Sequence, residues 1–309
     1  MSQPAQAVSP RLSHPYLAQP LLQLSHHVES TPIPHDPLEP DLIERVLQGL
    51  GLRERPEADL EGLRSFYAQW CLRVPFDNVR KLLHLRSGDS RPLAGDDASE
   101  FFESWLAHGT GGTCWPANGA LHSLLCELGF DAERGVGTMM ASANPPPGHA
   151  TVIVNIHGLR HMVDASILHG EPLLLEKEPT AVPHPAWGVT CSQRGGLWHI
   201  FWHPLHRPAG FDCRIEYLGA SRNDFRNRHE MTRPWSPFNY SVTLRLNRGD
   251  RVVGIALGKR VEIRADGSVE ETPITRDEQL RLLIDDFGIS QELVMALPPD
   301  APVPPPPPR

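Results

Sequence analysis

The chain has 309 residues, with 29 lysines and arginines against 37 acids and a formal net charge of −8. That length allows two or three domains around a sizeable core, and a hydrophobic share of 40% is compatible with a folded soluble protein. No basic run could track a phosphate backbone, and no stretch reaches the roughly 18 to 20 apolar residues that span a bilayer, so neither nucleic acid nor a membrane is an expected partner.

Residues 1–40 are rich in Pro, Ser, His and Gln with weak periodicity, and read as a disordered extension. From Asp41 the spacing turns helical. Leu42, Val46 and Leu50 are followed, past Pro56, by Leu60, Leu63, Phe66, Tyr67 and Trp70, and a further helix is expected around Phe101 to Ala107. Then Thr110-Gly111-Gly112-Thr113-Cys114-Trp115-Pro116 leads into Ala117, Leu121, Leu124, Leu125 and Leu128, with Gly129 as a stop. These segments predict a helical domain over 41–129 and put the Cys114 thiol at a helix N-terminus, where free N–H groups and the macrodipole favour a thiolate.

Residues 130–231 read as strands separated by Pro and Gly turns, a barrel-like domain. Within it, His149 to Ile156 and Leu159 to Asp164 flank His157-Gly158 as a hairpin. A turn centred there puts Asp164 opposite Thr151 and diagonal to His149 on one face, roughly 7–8 Å apart at Cα. A slip of one residue would separate them. Residues 232–290 read as a smaller α/β unit, with a strand running from Phe238 to Leu246, a turn at Asn247 to Asp250, and a helix begun by the capping box of Thr275 and Glu278. The tail over 291–309, ending in five prolines before Arg309, reads as extended and solvated. His199, His203 and His206 resemble a metal cluster by count, but Pro204 favours a strand and turn on which they would not converge, so no metal is expected.

The five cysteines are odd in number and contain no Cys-x-x-Cys pair, which argues against a disulfide framework. With no signal-peptide pattern at the start, a reducing cytoplasm is the expected location. Cys114, His149 and Asp164 are the three groups that nucleophilic thiol catalysis needs: a nucleophile, a base that takes and returns its proton, and a carboxylate that orients the base.

These residues resemble the arylamine N-acetyltransferase family. Val74-Pro75-Phe76-Asp77-Asn78 is similar to its early Pro-Phe-Glu-Asn element, and Gly111-Gly112-Thr113-Cys114 to its Arg-Gly-Gly-aromatic-Cys element. Leu128-Gly129-Phe130, His149, Val163-Asp164-Ala165, the run from Thr232 to Phe238 and Phe287-Gly288-Ile289 follow in the family's order. The resemblance implies an α+β fold with a papain- or transglutaminase-like Cys-His-Asp core, built from a helical first domain, a β-barrel second and a small α/β third. It also implies a Cys-His-Asp triad moving acetyl from acetyl-CoA, a substrate rather than a bound cofactor, to a small amine acceptor. Three departures stand out. Thr110 replaces the family arginine, leaving Arg80 as a stand-in partner for Asp77. Thr113 replaces the aromatic residue, and Ser166-Ile167-Leu168-His169 replaces a glycine-rich segment that lines the cleft. The last change predicts a narrower cleft beside Cys114 and slow discharge to common arylamines. The same triad would also serve an amide synthase of secondary metabolism or a hydrolase, and an altered member could act as a binding module using its proline tail.

Overall fold

The computed structural model describes residues 35–142 and 145–307. Most of the extension expected over 1–40 lies outside the described residues, but its last part packs. His35 Nε2 and the Leu38 N–H meet Glu127 Oε1 at 2.9 and 3.1 Å, and Asp36 pairs with Arg222.

Helix α1 (Pro40–Gly49) begins with proline in its first turn and buries Leu42, Ile43, Val46 and Leu47, one helical face. Helix α2 (Leu60–Arg73) starts where the Asp59 side chain accepts the Gly62 N–H, and turns Leu63, Phe66, Tyr67 and Trp70 inward. Strand β1 (Phe76–Asp77), α3 (Val79–Ser87), α4 (Ala98–His108) and α5 (Cys114–Glu127) follow. Between Cys114 and Leu125 only Gly119 in α5 is not buried, so this helix runs through the core rather than over it. It packs against α4 on one side and the large sheet on the other.

That sheet is antiparallel and has eight strands: β2 (Asp131–Met139), β3 (His149–Ile156), β4 (Leu159–Val163), β5 (Leu173–Leu174), β6 (Thr180–Val182), β7 (Val189–Arg194), β8 (Leu197–Trp202) and β9 (Phe211–Leu218). Their order is β5-β4-β3-β2-β9-β8-β7-β6, and Thr180 Oγ1 donates to the Leu174 carbonyl across the gap between the outer strands. The sheet therefore curls toward the expected barrel. The β3–β4 turn sits at His157 and Gly158, with φ of 52° and 82°, as a two-residue type I′ turn requires. Val152 pairs with Val163 and Ile153 with Met162, the register the sequence predicts. Helix α6 (Arg222–Glu230) stands where strands were expected. Ser221 and Asp224 form its capping box, a Ser-x-x-Asp signal too short to outweigh the surrounding strand pattern.

Strands β10 (Leu244–Asn247), β11 (Val252–Ala256), β12 (Lys259–Ile263) and β13 (Val269–Pro273) form a second sheet with β1 on the edge of β10. The strand expected from Phe238 begins only at Leu244. Asn78 Nδ2 holds the Phe238 and Ser241 carbonyls at 2.9 and 2.7 Å, and Ser236 caps a short 3-10 turn over Pro237–Asn239. Helices α7 (Arg276–Arg281) and α8 (Gln291–Ala296) complete this unit, with Val294 and Leu297 in its core, so it continues past the boundary expected at 290. The proline tail beyond them is exposed but anchored. Asp300 accepts the Val242 N–H at 3.0 Å and Gln279 Nε2 at 2.8 Å, and Trp235 Nε1 donates to the Pro304 carbonyl at 3.1 Å. Among the described residues, no helix is long and apolar enough to cross a membrane.

Candidate active site

The loop before Cys114 is built on β1. Asp77 N–H donates to the Gly112 carbonyl at 3.2 Å, while Asp77 Oδ2 accepts the Gly111 N–H at 2.6 Å and Oδ1 the Val79 N–H at 2.9 Å. A Cβ on Gly111 would stand 1.8 Å from the Pro75 carbonyl oxygen, so only glycine fits there. The early Pro-Phe-Asp-Asn run and the double glycine are thus one structure, delivering Cys114 to the first position of α5. Burial pushes the Asp77 carboxyl up to about 6, against the opposing pull of the two N–H groups and of Arg80.

Cys114, His149 and Asp164 come together as the sequence predicts. His149 Nε2 lies 2.8 Å from Asp164 Oδ2, and Cys114 helps to raise the same ring. With Nε2 committed to Asp164, Nδ1 is the nitrogen left to serve the thiol. Cys114 Sγ is also 3.8 Å from the Gly148 carbonyl. Asp164 is fully buried, and its Oδ1 accepts the Ser166 and Ile167 N–H groups at 2.8 and 2.9 Å. Burial alone would hold the His149 imidazole neutral. The Asp164 charge and hydrogen bond, with a smaller contribution from Cys114, outweigh it and raise the ring to about 10. Burial likewise opposes ionisation of Asp164, yet His149 and the two N–H donors hold its carboxyl below the ordinary value.

Two buried residues that sequence reasoning missed tie these segments together. Asn118, one turn after Cys114, donates through Nδ2 to the Cys114 and Ala150 carbonyls at 3.1 and 2.8 Å, and accepts the Ala165 N–H through Oδ1 at 3.0 Å. It thereby links Cys114 to the neighbours of His149 and Asp164. Tyr67 Oη donates to the Asp164 carbonyl at 2.9 Å and accepts the Asp164 and His169 N–H groups at 3.1 and 3.2 Å. A polar residue between the apolar positions of the helix, a feature shared with His122 and Ser123, was the one signal available for Asn118. Tyr67 read only as core.

The pair Cys114 and His149 opens into a cavity of about 420 Å³ walled by Phe76, Trp115, Trp202, Phe211, Trp235 and Phe238. An aromatic cleft with a thiol and an imidazole at its base is the arrangement expected for acyl transfer to a flat acceptor. A family model described as N-acetyltransferase matches residues 59–294. An arylamine N-acetyltransferase of Mycolicibacterium smegmatis is 34% identical over 262 residues, spanning 79% of this chain and 90% of the relative. The chain belongs to the arylamine N-acetyltransferase family. Proansamycin X synthase of Amycolatopsis mediterranei (strain S699) is 28% identical over 144 residues, 45% of this chain and 52% of that protein. The solved arylamine N-acetyltransferase of Mycobacterium marinum matches with a TM-score of 0.71 at 19% identity, covering 82% of this chain and 97% of that one, which speaks for the α+β fold.

Against the family pattern, two expectations need correction. Arg80 pairs with Glu100 and acts on Asp77 only through space. The Asp77 carboxylate is satisfied by backbone N–H groups, while Thr110 in the arginine's place is buried 3.4 Å from Ser104 Oγ. Ile167 and Leu168 do not narrow the cleft. Ile167 lies in the barrel core and Leu168 in the core of the helical domain, and Ser166 alone of this segment lines the cavity. Leu168 has a φ of 53°, which accounts for glycine being usual here and makes leucine a strained substitute. The three rival histidines do not converge. His199 faces Asp212 at 3.6 Å, His203 Nδ1 donates to the Pro208 carbonyl at 2.7 Å, and His206 leans on Phe211.

Proposed function

We propose that the protein moves an acetyl or other short acyl group from acyl-CoA to a small amine, most simply an arylamine, through an acyl-Cys114 intermediate. The observation that carries this reading is the buried line Cys114–His149–Asp164 at the base of the aromatic cavity. His149 takes the Cys114 proton, and the thiolate attacks the thioester carbon. CoA leaves as its thiolate and recovers that proton from the imidazolium. The amine then attacks the acyl-cysteine, His149 takes its proton, and Cys114 departs to be reprotonated, leaving an amide. The N–H groups of Cys114 and Trp115 belong to the open first turn of α5, since Pro116 has none to offer. They are suited to hold the oxyanion, at on the order of 3 kcal/mol per donor.

The scheme is ping-pong and needs no metal or bound cofactor, and the thiol chemistry suits a reducing cytoplasm. Mixing the intact protein with acetyl-CoA alone should add one acetyl mass, lost in Cys114→Ala and cleared by an amine; no increment would refute the reading. Burial pushes the Cys71 thiol up to about 12, so iodoacetamide should modify Cys114 first. Equal labelling of both would favour a non-catalytic binding module.

A second reading, an amide synthase, is favoured by the likeness to proansamycin X synthase. Its test is an activated acyl chain bearing its own arylamine. Cyclisation without an external amine supports the synthase, and release as the free acid excludes it.

A further inference from the structure

Lys81, in the first turn of α3, has a position the acyl-transfer chemistry does not use. It is only 4% exposed, yet it lines the cavity that holds Cys114 and His149. Its Nζ donates to Thr232 Oγ1 at 2.7 Å, and that hydroxyl donates onward to the His229 carbonyl at 2.7 Å. Thr232 is thereby fixed as an acceptor, and an ammonium carries three donors.

Among the described residues, no carboxylate forms an ion pair with Lys81. Glu230, an acid whose charge reaches it, is held by Arg233 at 2.8 Å and by the Leu93 N–H at 2.6 Å. Among the described residues, Lys81, Arg228 and Arg245 line the cavity beside His149, and no aspartate or glutamate does. Arg228 is engaged by the Pro147 carbonyl and Tyr217 Oη, each at 3.1 Å. Arg245 is engaged by the His203 carbonyl at 2.9 Å, with its guanidinium 5.6 Å from the Trp202 ring centre. Burial draws Lys81 down to about 8, against the opposing pull of Cys114 and of Glu230. Acylation takes the Cys114 charge away, and a substrate anion at the cavity wall would then offset the burial of the ammonium.

We propose that Lys81 forms a subsite in the cleft for a carboxylate carried by the substrate, so that the enzyme prefers an acidic acyl group or an acidic arylamine over its neutral counterpart. The proposal rests on the acyl-transfer reading. Thr232 orients the ammonium, and the aromatic walls hold the flat or aliphatic body that joins the carboxylate to the reacting atom. Lysine suits this role because its charge is a compact point on a flexible stem, able to follow either substrate.

The test compares kcat/KM within two pairs, succinyl-CoA against butyryl-CoA as donor and 4-aminobenzoate against 4-aminobenzamide as acceptor, for the wild type and Lys81→Met. The anionic-to-neutral ratio should fall about 10- to 100-fold for one pair and stay constant for the other, which identifies the carrier of the carboxylate. Unchanged ratios for both pairs would overturn the subsite, as would an equal loss across all four substrates, which would make Lys81 a contact for CoA itself. A binding arm requires no turnover. Benzoate or succinate should slow iodoacetamide labelling of wild-type Cys114 more than the corresponding amide does, and Lys81→Met should lose that difference; equal protection by acid and amide in the wild type, or an unchanged difference in Lys81→Met, overturns the proposal. Absence of transfer with every substrate would sink the acyl-transfer reading alone, because the labelling comparison still reports on Lys81.

Discussion

Asn118 offers the sharpest test of how the site is held. In Asn118→Ala the Ala165 N–H loses its acceptor and the Ala150 carbonyl loses a donor, both in segments shielded from water. Leaving a buried polar group unsatisfied costs about 1–3 kcal/mol, so two of them predict a loss of about 4 kcal/mol, a large part of the stability of an ordinary domain. Urea unfolding at neutral pH measures it directly. The same amide joins the segments carrying Cys114, His149 and Asp164, so the folded fraction of the variant should also acylate from acetyl-CoA about 10- to 100-fold more slowly. Single-turnover mass spectrometry at a temperature where both proteins are folded separates the two effects. A stability loss under about 1 kcal/mol, or acylation at the wild-type rate, would mean that Asn118 merely fills space and that the strand register alone sets the triad.

The remaining predictions follow from the buried charges and the strained turn. Asp164→Asn removes the carboxylate that outweighs burial at His149, so the ring should titrate below 7 instead of near 10 by NMR, with acylation reduced about 10³- to 10⁴-fold; an unmoved titration would refute the pairing. Asp77 is protonated more readily in the folded state, at about 6 against an ordinary 3.8, so the native protein binds the extra proton between those values. Its stability, measured against Asp77→Asn, should therefore be greatest below pH 4 and fall by about 3 kcal/mol as pH rises through 6; a flat difference would show the carboxylate compensated. Leu168→Gly relieves a left-handed leucine worth about 1–2 kcal/mol but empties a fully buried site worth about 2–5, so it should destabilise the fold without speeding arylamine turnover. Faster turnover of bulky arylamines would restore the narrow-cleft view.

The local geometry of the triad was legible in the sequence because it depends on near neighbours. Leucine spacing and the glycine stop place Cys114 at a helix start, and a tight turn centred on His157-Gly158, as the structure has it, sets the strand register and with it the facing of His149 and Asp164. Helix α6 was missed although its capping signal is present, because four residues cannot outweigh a long strand-like pattern around them.

What only the tertiary structure decided are the partners of buried polar groups, since these join segments far apart in the chain and no periodicity records them. Tyr67 meets Asp164 across 97 residues, Asn118 meets Ala165 across 47, and Lys81 meets Thr232 across 151. The direction of the segment after Asp164 was likewise undetermined by composition. Whether Ile167 and Leu168 fill the cleft or the cores behind it depends on one positive φ and on which apolar wall stands opposite, and both are properties of packing. The tail followed the same rule: its prolines read as solvated, and the bonds of Asp300 to Val242 and Gln279 and of Trp235 to Pro304 lay it along the third unit.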